Sequence, residues 1–306
     1  MKVFYRDEQT VQLVGVFSPS ARKPAVVVRA WQDAFGASIE LAAFEPLHER
    51  DFHAAHDRAY VRGVFSLATE NGFGTHSQEV AESLRYTNGS MVAAALHALE
   101  YREFAVSPTS GFHHAGWAYG GAFCTFNGLM LAALAARAAG AARVAIVDCD
   151  QHYGNGTDDI IGRLNAQSWL AHYTYGQQAY AHRPGGAEFL ADLERVCRRV
   201  ASEADLILYQ AGADPHRDDP LGGSLGTEEM RRRDEILFEA ARAASLPLAW
   251  NLAGGYQEPL QKVVDLHVQT MGAALAVQRD WRPARKTGCR RLRKADRHAS
   301  DDKCAG

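Results

Sequence analysis

The chain has 306 residues, 47% of them hydrophobic, and a net charge of −3, enough apolar mass for a substantial core in one large α/β domain or two smaller ones. No apolar run approaches the roughly 18 residues that a membrane-spanning helix requires, and no basic-then-apolar leader of the signal-peptide kind opens the sequence, so no membrane association is expected. Cys124, Cys149, Cys197, Cys289 and Cys304 are odd in number and lack Cys-x-x-Cys spacing, which argues against a disulfide framework and for reduced thiols in a cytoplasmic setting.

Lys2-Val3-Phe4-Tyr5 reads as an opening strand. Further apolar, β-rich runs at 104–106, 143–147, 206–209 and 247–252 alternate with amphipathic helix candidates at 78–101, 126–139, 187–203 and 227–244. Such alternation, with nearly continuous apolar strands, predicts an α/β fold: a single-domain parallel sheet sandwiched by helices. No repeat, linker or compositional break divides residues 1–280, so they are expected to form one domain. From Arg282 onward nine Lys/Arg face three Asp/Glu, which leaves 24 basic and 33 acidic residues in the body. Residues 281–306 are therefore expected to be a basic, disordered extension. An acidic body argues against direct nucleic-acid binding. Homo-oligomerisation is left open.

Five polar patches follow these strands: Ser110-Gly111-Phe112-His113-His114-Ala115; Asp148 to Thr157; Ala213-Asp214; Asp218 to Gly223; and Gly254-Gly255-Tyr256. Four of the five lie past the carboxyl ends of predicted parallel strands, where open α/β sheets place a ligand crevice. Asp150 and His152, two apart in an extended segment, point to the same side, and Asp214 can complete a set of two carboxylates and one imidazole. Alone, Gly-Ala-Asp-Pro is an ordinary turn sequence; convergence of the patches is what points to a metal. Three protein ligands with an open position suit catalytic Zn²⁺, and the mixed donor set also suits Fe²⁺, Co²⁺ or Mn²⁺.

His113 and His114 are flanked by Gly111 and Gly116, which allow close backbone approach. One imidazole can act as base on water and then as acid on a leaving amine, while its neighbour carries positive charge if a carboxylate holds it. Asp148 is the candidate carboxylate. Asn155, between two glycines, can hydrogen-bond the other imidazole or form a tight turn with positive φ. Tyr256 can donate its hydroxyl to a developing oxyanion. Together these are the parts of a metal-dependent amide hydrolase.

With Phe-Cys-Thr-Phe-Asn at 123–127 added, the set resembles the histone deacetylase/acetylpolyamine amidohydrolase family of the arginase–deacetylase fold, over residues from about 54 to about 270. The resemblance implies Zn²⁺ on Asp150, His152 and Asp214, with His114 as general base and acid. It also implies His113 as an electrostatic partner held by Asp148, Tyr256 as the carbonyl-polarising group, and a structural K⁺ on Asp148 and the carbonyls of Asp150 and His152. Phe123 matches an aromatic wall of the substrate tunnel, which Ala122, Leu221 and Gly254 also border. Ala122 stands where glycine is usual and is expected to tighten the tunnel or alter substrate seating. Asn155 is similar to the class II side of the family. Leu221 stands where polyamine-selective members carry an acidic gatekeeper, which implies an acyl-lysine-like or neutral amide substrate. The implied activity is removal of acetyl or short acyl groups from lysine-like primary amines; an acetylpolyamine or other small-molecule amidohydrolase is the nearest alternative. A two-Mn²⁺ ureohydrolase and a non-catalytic acyl-lysine binder stand further off.

Overall fold

The structure is a computed structural model that describes residues 1–279 apart from positions 14, 182 and 184; the basic stretch expected to be disordered lies outside the described residues. Seven strands form one sheet: β1 (Lys2–Phe4), β2 (Glu40–Ala42), β3 (Phe104–Ser107), β4 (Val144–Asp148), β5 (Leu170–Thr174), β6 (Leu206–Gln210) and β7 (Leu248–Asn251). Their order is β2-β1-β3-β7-β6-β4-β5, and every pairing is parallel. The helices are α1 (Lys23–Phe35), α2 (Glu49–Phe52), α3 (Arg58–Phe65), α4 (Gln78–Tyr101), α5 (Gly128–Ala138), α6 (Asn155–Arg163), α7 (Ala187–Glu203), α8 (Thr227–Ala243) and α9 (Gln261–Arg279).

Strand pleating splits the core in two. Val144 and Ile146 join one apolar cluster, and Ala145 and Val147 join the other, as alternation along a strand demands. Helices α3 to α6 cover the first face; α1, α7, α8 and α9 cover the second. Because both faces are covered, the central strands are buried along their whole length, which is why they read as continuous apolar runs.

The run Lys23-Pro24-Ala25-Val26-Val27-Val28 favours a strand by β-branching, yet it opens α1. Pro24 in the first helical turn costs no hydrogen bond there, and Val27, Val28 and Trp31 form its buried stripe. Tertiary burial outweighs propensity at this point. Strand β5 escaped the pattern because it lies at the sheet edge with Ala171 exposed. Asn155 has no positive φ; it opens α6 after Gly154, so the tight-turn alternative is not realised.

The polar patches follow β3, β4, β6 and β7. These four strands are consecutive in the sheet, in the order β3-β7-β6-β4, so parallel direction alone delivers their carboxyl-end loops to one place.

Candidate active site

Asp150, His152 and Asp214 offer ligand atoms that all lie within 4.8 Å of one another. Both carboxylates are buried and the imidazole is half-buried. His152 Nδ1 lies 3.2 Å from Asp150 Oδ1 and 3.0 Å from Asp214 Oδ2. Burial pushes the Asp214 carboxyl up to about 7, and the neighbouring Asp150 charge adds to the rise. Hydrogen bonds to Asp150 and Asp214 lift His152 to about 11. The same crowded negative field is what a divalent cation would neutralise.

The loops meet this closely because glycine lines them. A Cβ at Gly254 would lie 2.3 Å from Asp214 Oδ2, and one at Gly212 would lie 2.7 Å from Asp150 Cα. Gly254 N–H donates to Asp150 Oδ2 at 2.9 Å, and Gln151 N–H to Asp214 Oδ1 at 3.2 Å. Gly254, expected beside the tunnel, thus sits against both carboxylates at the floor.

Two buried cations brace these loops, and neither was singled out in the sequence. Lys23 Nζ donates to Ala253 O at 2.6 Å and Gly254 O at 3.1 Å. Burial lowers its pKa to about 8 against the pull of Asp214 and Asp150. Arg233 on α8 donates to Gly212 O at 2.5 Å and to Asp234 at 2.9 Å, and Asp234 accepts from Tyr209 and Thr270. Each of these cations satisfies carbonyls of a loop that carries or supports a carboxylate of the site.

The two histidines differ in environment. His113 Nδ1 lies 2.7 Å from Asp148 Oδ2, and its Nε2 lies 3.6 Å from Asp150 Oδ1. Burial opposes charge on His113, but Asp148 and Asp150 outweigh it and raise the pKa to about 9. His114 Nδ1 lies 2.7 Å from Asn155 Oδ1. An amide oxygen only accepts, so Nδ1 carries the proton and Nε2 keeps its lone pair. Burial, then the His113 charge, lowers His114 to about 4. Neighbouring groups pushed in opposite directions are the usual sign of divided acid–base roles.

His56 Nδ1 donates to Gly116 O at 2.9 Å, and its Nε2 accepts from Asn127 N–H at 2.9 Å. Asn127 Nδ2 in turn donates to Ala115 O at 3.1 Å. The loop after the histidine pair is therefore held by a neutral, buried imidazole whose pKa burial lowers to about 4. Because the folded value lies below the unfolded value of about 6.5, stability is full above that value and is lost as pH falls towards 4. A His56→Gln variant is expected to lack about 3 kcal/mol of the wild-type loss between pH 7 and pH 4, as read by denaturant unfolding at both pH values. Equal losses in the two proteins would contradict the assignment.

His172 is a second imidazole beside Asp148, with Nδ1 2.7 Å from Asp158 Oδ1 and Nε2 4.0 Å from Asp148 Oδ2. No motif marked it in the sequence.

Tyr256 N–H donates to Asp219 Oδ2 at 2.8 Å, and Asp219 Oδ1 accepts from Leu221 N–H at 3.0 Å. One carboxylate thus joins the tyrosine loop to the rim residue. Burial, with Asp214 and Asp150 adding, raises the Tyr256 hydroxyl pKa, so it stays protonated and can donate. Phe123 lies 5.8 Å from the Tyr256 ring. Ala122 and Phe123 take φ of 45° and 67°, a left-handed turn that glycine would hold without the ~1–2 kcal/mol side-chain penalty. Ala122 itself is exposed. Leu221 is exposed at the rim.

Two buried carboxylates and a half-buried imidazole beside a split histidine pair and a protonated tyrosine form the arrangement that metal-assisted hydrolysis calls for. The histone deacetylase domain family matches residues 20–186 and 175–271, and the chain belongs to that family. Acetylpolyamine amidohydrolase 2 of Pseudomonas aeruginosa is 54% identical over 171 residues, 47% of this chain and 48% of that protein. Histone deacetylase 2 of Arabidopsis thaliana is 30% identical over 223 residues, 66% of this chain and 56% of that protein. The matches thus span about half the length of these two relatives. The solved HD domain of HDA15 superposes with a TM-score of 0.75 at 18% identity, covering 90% of this chain and 89% of that one. That likeness establishes the arginase–deacetylase fold.

Proposed function

We propose that the chain is a metal-dependent amide hydrolase that removes acetyl or other short acyl groups from lysine-like primary amines. The observation that carries this reading is the Asp150–His152–Asp214 group, with both carboxylates buried, set beside His113 on the Asp148 carboxylate and His114 on the Asn155 amide oxygen. Two buried carboxylates and one imidazole suit Zn²⁺, and Fe²⁺, Co²⁺ or Mn²⁺ are compatible. A divalent cation bound there supplies Lewis acidity towards the carbonyl and activates water near neutral pH.

The side chains supply the rest. His114 Nε2 takes the proton of the attacking water and passes it to the leaving amine. His113, charged and held by Asp148, lends positive potential to the same region. Asn155 fixes the His114 tautomer without adding charge. Tyr256 donates its hydroxyl to the carbonyl oxygen as negative charge develops. The buried Asp148 carboxylate and the carbonyls of Asp150 and His152 are the oxygen donors for a structural K⁺; those two carbonyls accept no hydrogen bond among the described residues.

Exposed Leu221 favours acyl-lysine or another neutral amide partner. A polyamine substrate is the second reading, favoured by the 54% match to a protein named acetylpolyamine amidohydrolase. Competitive hydrolysis of an acetyl-lysine peptide and N-acetylputrescine separates the two: the peptide is expected to be preferred, and preference for the polyamine would overturn the reading of Leu221. Cys124, Cys149 and Cys197 are free and buried, and no described helix is long and apolar enough to cross a membrane. The free thiols support a reducing, cytoplasm-like setting.

A further inference from the structure

We infer that Phe17 is a specificity-determining residue that receives the methylene chain on the amine side of the substrate; this rests on the deacylase reading above. Phe17 belongs to the segment that leads into α1, two residues after Gly15 at φ +75°. Its ring stacks on Tyr256 with centroids 5.8 Å apart and planes inclined by 14°. It lies 6.5 Å from Phe123, which is itself 5.8 Å from Tyr256 and is backed by Phe73 at 5.8 Å. Phe17, Phe123 and Tyr256 are therefore in mutual reach, and the Tyr256 hydroxyl feels the charge of Asp214 and Asp150.

For all that contact, Phe17 is 60% exposed, more than any other large hydrophobic residue among those described. Two more of the exposed apolar residues border the same site. Tyr119 accepts a hydrogen bond from Asn155 at 3.4 Å, and Leu221 shares Asp219 with Tyr256. Single exposed apolar residues are unremarkable, but apolar side chains gathered on separate loops around one opening mark a binding surface. Gly254 packs against Asp150 and Asp214 with no room for a side chain of its own, so on this reading the acyl group lies at the carboxylates and the amine side points away from them. Of the rings in contact with Tyr256, Phe17 is the exposed one, and it is there that we place the alkyl chain. An unbranched alkyl chain fits a flat aromatic face; a bulky or anionic group gains nothing from it.

The test uses full-length, metal-loaded protein and a series of N-acetyl-n-alkylamines from ethyl to hexyl. Wild-type kcat/KM is expected to rise with chain length, by up to about fourfold per methylene. Phe17→Ala should flatten that rise, and Phe17→Leu should restore much of it by keeping an apolar contact. A residue that only steadies Tyr256 would lower kcat by the same factor at every chain length. Equal slopes in wild type and Phe17→Ala would thus overturn the inference and leave the deacylase reading standing. No hydrolysis of any member by wild type would overturn both.

Discussion

Replacing Tyr256 by phenylalanine is expected to lower kcat by about 10²–10³-fold, the usual loss for one oxyanion donor, with metal content unchanged. The hydroxyl is the only group removed, and the ring contacts with Phe17 and Phe123 remain available to hold the side chain. The backbone bond from Tyr256 N–H to Asp219 is also untouched. Steady-state kinetics on an acetyl-lysine peptide, with metal analysis of the same preparation, would check this. A kcat within twofold of wild type would remove Tyr256 from the mechanism.

His114→Ala is expected to reduce kcat by about 10²–10⁴-fold, the range for a positioned general base. The Asn155 amide oxygen holds the Nδ1 proton and leaves Nε2 unprotonated, and burial keeps the ring neutral. His113 is placed for the other role: its Nδ1 lies 2.7 Å from the buried Asp148 carboxylate, which favours its charged form. Single-turnover rates of the metal-loaded variant would measure the loss. A loss below about tenfold would place the base elsewhere.

Where pattern and burial coincide, the fold was legible. Helices α4 and α7 match the expected 78–101 and 187–203, because amphipathic period and burial agree along them. The buried strands β3, β4, β6 and β7 were found for the same reason. Helix α1 and strand β5 were not, since Val-rich sequence can be helical once Val27, Val28 and Trp31 are buried as one stripe, and an edge strand need not be apolar. The five polar patches were legible because chemistry-bearing residues cluster at strand ends, and the structure brings those residues together. Lys23, Arg233, His172 and Phe17 carried no such signal. Lys23 acquires meaning only when the fold sets its ammonium against carbonyls 230 and 231 positions away. Phe17 looks like any loop hydrophobe until Tyr256 is found beneath it.

The most direct test of the whole account is the metal content of reconstituted protein, read together with turnover. The expected result is one equivalent of divalent metal per chain, lost in Asp214→Asn, with hydrolysis abolished by chelation and restored by Zn²⁺. Undiminished hydrolysis after rigorous chelation, or two tightly held equivalents, would contradict it.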